Sequence, residues 1–261
     1  SYGYFYDWVA GGLYKQTLLV DGTRIQDINM VNPSYPDPGA GGAATPSNQY
    51  LWSDELLLPN AHRASVGLDR VITKNGRLSA SYNVGWGRNL LRGRNLNLPV
   101  GGVKPDPALA NVVELQSDAG SQSHSLTVNY SFVRLDWKRA FMTANYTIGS
   151  SRTNTTGAFS LPANGDNLET EWGPSQGDIR HRVGGSINMS PWRELSVGLN
   201  VRAGSGTPYN ITTGRDDNGD GVFNDRPSGV ERNAARGAWQ FDLGGRISYA
   251  WGFGTPRAAG G

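Results

Sequence analysis

The chain contains no cysteine. Disulfides, thiolate metal sites and cysteine nucleophiles are therefore excluded. It also carries little excess charge: 24 basic residues stand against 22 acidic ones, and only four of the basic ones are Lys. A general nucleic-acid binder needs a concentrated basic face, so nucleic acid is not an expected partner. Long apolar runs are missing as well, and nothing approaches the ~18 residues of a transmembrane helix. No signal peptide is visible, and the chain opens on Ser1 rather than Met. It reads as a piece of a longer or processed protein.

What the sequence has in quantity is glycine and aromatics. There are 36 Gly, 8 Trp and 11 Tyr, on a mean hydropathy of −0.47. That composition leaves a soluble all-β protein or a transmembrane β-barrel, whose strands alternate in polarity and escape hydropathy scans. The final strand separates the two. Trp239, Phe241, Leu243, Ile247, Tyr249, Trp251 and Phe253 alternate with Gln240, Asp242, Gly244, Arg246 and Ser248. A soluble strand usually runs about five or six residues; this period of two is far longer.

Similar alternation marks strands at approximately 2–9, 13–21, 62–73, 77–88, 121–135, 139–150, 180–190 and 194–204, with the last at 238–253. The links between them alternate in length. Short ones fall at 10–12, Lys74-Asn75-Gly76, Asp136-Trp137-Lys138 and Pro191-Trp192-Arg193. Long ones cover 22–61, 89–120, 151–179 and 205–237. Tight turns at one end and long loops at the other are the pattern of an outer-membrane barrel. This threading puts Trp8, Trp137, Trp192 and Trp251 at the short-turn end and Trp86 and Trp239 at the other, as two aromatic girdles. The expected fold is all-β: residues 1–261 as a partial antiparallel transmembrane barrel in the bacterial outer membrane, in contact with its lipid.

Several runs together resemble Oar-like TonB-dependent receptors. They are Gln16–Gly22, Asn32–Pro38, His62–Gly67, Leu91–Asn97, Glu171–Pro174, Asp178–Arg182, Gly206–Asn210, Asp220–Pro227 and Arg232-Asn233. The resemblance implies a barrel of about 22 strands, of which this chain supplies a late portion of about nine strands, without the plug or the closing strands. It implies uptake of a scarce or bulky substrate, energised by contact between TonB and the plug. The alternative is a structural or adhesion barrel with no TonB dependence.

Candidate sites lie in the long loops. Asp216, Asn218 and Asp220, followed by Gly221, fit the opening of a calcium loop, with Asn224, Asp225 and the Val222 carbonyl able to complete the shell. The same pattern also suits a polar Asx turn without metal. Trp52, Trp172 and Tyr209 are candidate substrate-facing aromatics, or alternatively internal loop packing. Arg202 and Arg246 are expected on the inner face, paired with Asp242 or Asp69, or alternatively guiding an anionic substrate. Arg180-His181-Arg182 sits at a strand end near Asp178 and Glu171. His62, His124 and His181 are the only histidines, and none sits in a recognisable catalytic setting; no G-x-S-x-G is present. No enzymatic activity is expected.

Overall fold

The computed structural model describes residues 1–20, 24–25, 30–31, 34–37, 43–44, 46–136, 139–165 and 167–251. Its elements, in chain order, begin with β1 (Tyr2–Tyr6), α1 (Gly11–Leu19), β2 (Met30–Val31), β3 (Ala43–Ala44) and β4 (Ser47–Trp52). The long strands are β5 (Asn60–Thr73), β6 (Gly76–Asn95), β7 (Leu109–Arg134) and β8 (Ala140–Thr153). Then come β9 (Gly173–Pro174), β10 (His181–Met189), β11 (Leu195–Gly204), β12 (Pro208–Tyr209), β13 (Ala235–Arg236) and β14 (Gln240–Tyr249).

The wall is an open antiparallel sheet in the order β1-β5-β6-β7-β8-β10-β11-β14. Its register sorts side chains into rows. One row runs Leu78, Tyr130, Ala144, Gly185, Val201, Leu243; the next on the same face runs Ala80, Val128, Tyr146, Val183, Ala203, Phe241. On the opposite face a row runs Ser81, Thr127, Thr147, Arg182. Hydroxyls pair along the polar rows: Thr127 with Thr147 at 3.0 Å and Thr143 with Ser186 at 2.8 Å. One face is thus apolar and outward, the other small, polar and inward, as strict alternation in each strand dictates.

One expected strand is absent. Residues 13–20 do not return as a strand, since Gly11–Leu19 form a helix, and Asp21 lies outside the described residues. Leu, Lys and Gln are good helix formers, and here both alternate faces mix apolar with polar residues, so no strand face is specified. The Thr17 hydroxyl donates to the Tyr14 carbonyl at 3.0 Å, a bond typical of helix interiors. β1 therefore pairs directly with β5 and runs toward the long-loop end, which carries Trp8 there instead of to the short turns. Trp86 and Trp239 share that end; Trp192 and Trp251 mark the other, and Trp137 lies outside the described residues. Eight strands lie on the main path, so β1 and β14 run in opposite directions.

The loop expected at 89–120 is also shorter than its sequence suggested. β6 has 20 residues and β7 has 26, whereas about 9–11 cross a bilayer. The break between the two zones is local. Register slips between Gly87 and Leu90, where Asn89 adopts a left-handed conformation with φ of 54°. Asn tolerates this region better than most residues, and the bulge bends the strand. Above it the alternation stops, because both faces of the strands meet protein or water instead of lipid. β8 pairs with β7 over Ser121–Arg134 only; higher up, β4 takes its place, parallel to Leu109–Leu115.

Candidate functional site

The long loops and the tops of β6 and β7 pack into a cap. The side chains buried there are mostly polar. Among the described residues the buried aliphatic core is Val113, Leu115 and Ala119, with Pro59 and Pro208, whereas the buried polar ones include Arg92, Asn95, Asn97, Asn111, Glu171, Asp178, Asp220, Asp225, Arg232 and Asn233. A polar interior holds only if its groups are paired.

The pairing starts on β6. Asn95 Nδ2 donates to Asn111 Oδ1 at 2.7 Å, and its Oδ1 accepts from Asn97 N at 3.0 Å. Asn97, 1% exposed, donates through Nδ2 to the carbonyls of Asp106 and Leu109 and accepts from Asp106 N. Asn111 Nδ2 then reaches the Asp220 carbonyl at 2.6 Å, joining β7 to the loop at 205–237. Arg92 forms a two-pronged bond to Asp118, both contacts at 2.7 Å.

A second set joins 151–179 to 205–237. The 3-10 turn Leu168–Glu171 presents Glu171, whose carboxylate takes Arg226 at 2.6 and 3.1 Å. Asp178 accepts from Ser151 N at 2.8 Å and from Arg236 Nη2 at 2.6 Å. Arg232 donates to the carbonyls of Thr153 and Thr155. Its backbone lies so close to Gly173 that a Cβ there would stand 2.3 Å from the Arg232 carbonyl, so only glycine fits. The Thr155 hydroxyl donates to the Leu91 carbonyl at 2.9 Å, and Asn224 Nδ2 to that of Leu161 at 2.8 Å.

The loop at 216–225 is held by its own backbone. Asp216 accepts from the amides of Gly219, Asp220 and Gly221 at 2.8, 3.0 and 2.9 Å. Asp225 accepts from Asp217 N at 2.7 Å and Asp220 from Val222 N at 2.7 Å. Asn218 Oδ1 takes Asp220 N at 2.9 Å. These are Asx turns, nested. Among the described residues no three His, Asp or Glu groups converge as metal ligands. Burial raises the Asp220 carboxyl above the ordinary carboxylate range, and Asp216 and Asp225 push it further, against the Val222 amide and Asn218.

The three candidate aromatics have separate surroundings. Trp52 sits on β4 with the Tyr14 ring edge-on at 5.7 Å. Trp172 lies in a depression shared with Glu169, Thr170, Arg226 and Pro227. Tyr209, on β12, is exposed. On the inner face, Asp69 pairs with Arg77 at 2.6 Å, not with Arg202 or Arg246. Arg202 stands across from Asp242 in register without an ion pair, and Arg246 Nε donates to Ser248 Oγ at 3.1 Å. Arg180 is 3.9 Å from Asp178, whose closer partner is Arg236; Glu171 belongs to Arg226.

The histidines share one arrangement. Tyr2, Tyr82 and Tyr146 hydroxyls meet Nδ1 of His62, His124 and His181 at 2.7, 2.9 and 2.8 Å. In each case the His lies two residues above the Tyr's direct partner on the next strand, on the apolar face. Trp239 stacks on His181 at 5.8 Å, and Trp86 meets His124 edge-on at 6.5 Å. This is an interfacial belt, apolar in body with polar tips. Arg92, Glu171, Arg226 and Arg232 each fall within the motifs, but nothing in the sequence alone joins the four. The available signal was several Arg and few Lys in the long loops, since Arg suits buried forked pairing.

The family model described as outer membrane beta barrel domain matches residues 14–251. Among solved structures, the outer membrane transporter YddB from Escherichia coli is similar at a TM-score of 0.57 and 12% identity, over 80% of this chain and 28% of that one. The chain thus spans less than a third of that transporter's length. No curated protein matches the sequence.

Proposed function

The chain belongs to the outer membrane beta barrel domain family, and on that premise we propose that it is the late wall and recognition cap of a TonB-dependent transporter of the Oar-like type. The wall resides in the bacterial outer membrane. The observation that carries the transport reading is the cap itself. Loops from three strand connections are tied together at one end of the sheet by charged and amide pairs that run between loops, and the fourth joins them through the Tyr50 ring edge-on to Phe159. Recognition is built on loops held by a rigid scaffold, and a capture surface for a scarce solute needs such fixed geometry. The segment supplies barrel wall and surface loops, with no chemistry performed on the substrate; energy comes from TonB through a plug elsewhere in the protein.

The test is photocrosslinking of the complete gene product, in outer-membrane vesicles, to the purified periplasmic domain of TonB. A saturable crosslink that increases when an extract of the natural growth medium loads the receptor is expected. Absence of any crosslink under both conditions would overturn the energised-transport reading and favour an adhesive barrel.

A further inference from the structure

A cavity of about 160 Å³ lies inside the cap, between the loops at 151–179 and 205–237 and the upper part of β6. At roughly 30 Å³ per water it holds a few waters or one small polar group. Three guanidinium groups line it, those of Arg92, Arg226 and Arg232. All are buried: Arg92 and Arg232 are each 4% exposed, and the Arg226 side chain 8%.

Two carboxylates answer three cations. Asp118 takes Arg92 and Glu171 takes Arg226. Arg232 has no carboxylate partner among the described residues and donates to the Thr153 and Thr155 carbonyls. Burial lowers the Arg232 guanidinium from its ordinary value; Glu171 opposes this and Arg226 adds to it. A buried cation without a counter-ion is costly.

Three of the residues that line the cavity each carry a buried polar atom without a partner: Arg92 Nη1, Arg226 Nε and Asn224 Oδ1. Two are donors on cations and one is an acceptor. Turning the Asn224 amide over does not help, because its Nδ2 already donates to the Leu161 carbonyl. Water in the cavity leaves the excess charge in place. An anion with oxygens for the two N–H groups and a hydroxyl for Asn224 answers all of them at once.

We propose that this cavity binds an oxyanion that also carries a hydroxyl, held by Arg92 and Arg226 through its oxygens, by Asn224 through its O–H, and by the charge of Arg232. Hydrogen phosphate and the α-hydroxycarboxylate group of an organic or sugar acid share that chemistry. This deepens the transport reading, because it names the group of the substrate that the cap grips.

Calorimetric titration of the complete gene product in detergent tests it with two matched pairs at neutral pH: phosphate against sulfate, and glycolate against acetate. Only the first member of each pair offers a hydroxyl. Saturable binding of at least one hydroxyl-bearing member, about tenfold or more tighter than its match, is expected, and the pair that shows it identifies the source. Arg92→Lys and Asn224→Asp are expected to weaken that binding about tenfold or more, with the heat-sensitive gel mobility of the folded barrel retained. No saturable binding in either pair, equal binding within both pairs, or undiminished binding in folded variants would overturn the proposal. Where a variant fails to fold, the matched pairs on the unaltered protein still decide. Anion binding without a TonB crosslink would leave this inference standing and remove only the transport reading.

Discussion

The same two strands, β6 and β7, serve two solvents. Below the bulge at Gly87–Leu90 their outward side chains, such as Leu78, Tyr82 and Trp86, are exposed to surroundings that in the cell are lipid. Above it, Arg92, Asn95 and Asn111 are buried among polar partners. The usual arrangement of a soluble domain is inverted, with apolar groups outside in the wall and amides and charges inside in the cap. In the wall, stability comes from ladder bonds and from lipid accepting the apolar face. In the cap it depends on complete pairing, since each buried polar group left alone costs about 1–3 kcal/mol, and more when charged. A single change should therefore act on one region and spare the other.

The largest effect is expected from Glu171→Gln. It leaves Arg226 buried without its carboxylate beside Arg232, at a cost of about 3–5 kcal/mol to the cap. Native-state hydrogen exchange of the complete protein should show the loops at 151–179 and 205–237 opening, with the strand amides of β10 and β11 unchanged. Loss of protection spread equally through the wall would erase the distinction between the regions. Next is Leu199→Arg, on the outward face in the middle of β11, expected to cost about 2–4 kcal/mol by denaturant unfolding in lipid. Arg at the adjacent inward position, Asn200→Arg, should cost far less; equal costs would mean the faces are misassigned.

A smaller, local effect is expected from Asp216→Ala, which removes the acceptor of three backbone amides, for about 1–3 kcal/mol confined to residues 216–225. Because the turn is set by these internal bonds, proteolysis of this loop should proceed equally with calcium or with a chelator. Protection by calcium would establish the metal reading of Asp216, Asn218, Asp220, Asn224 and Asp225. The finest test is titration of the Asp220 carboxyl by carbon NMR, with a midpoint above the ordinary carboxylate range. The sign follows from linkage. A folded-state value raised above the unfolded one favours the protonated form in the cap. This group's contribution is fully present below the unfolded value and fades as pH rises through the folded one. A midpoint at or below the ordinary range would show that the bonds from Val222 and Asn218 outweigh its burial.

The wall was legible in the sequence because lipid imposes one rule on every residue that faces it. Leu195, Val197, Leu199 and Val201 alternate with Ser196, Gly198 and Asn200, and register follows from turn position. The segment at 13–21 misled because its alternation lacked that difference between faces. The upper parts of β6 and β7 were hidden for a related reason. Leu90–Asn95 and Val113–Ala119 pair as strands but bury Arg92 and Asn95 as well as Val113 and Leu115, so no period of two survives. The cap's charge pairs were illegible singly, because Glu171 and Arg226 lie 55 residues apart and only the folded loops bring them together. What sequence did preserve was the order of the motifs: Leu91–Asn97, Glu171–Pro174 and Asp220–Pro227 are the segments that meet in the polar interior.

The turn at Val100–Val103 projects from this tightly tied cap with nothing packed on it. Gly101 and Gly102 have φ of 62° and 83°, and a Cβ added at either would meet no atom within 4 Å. Val100 and Val103 bond to each other across the turn at 3.0 and 3.3 Å, closing its base on itself. A peptide spliced between the two glycines would leave that closure and the charge pairs below untouched. The cell would then carry a foreign epitope on the cap, with the pairs that tie the loops together unaltered.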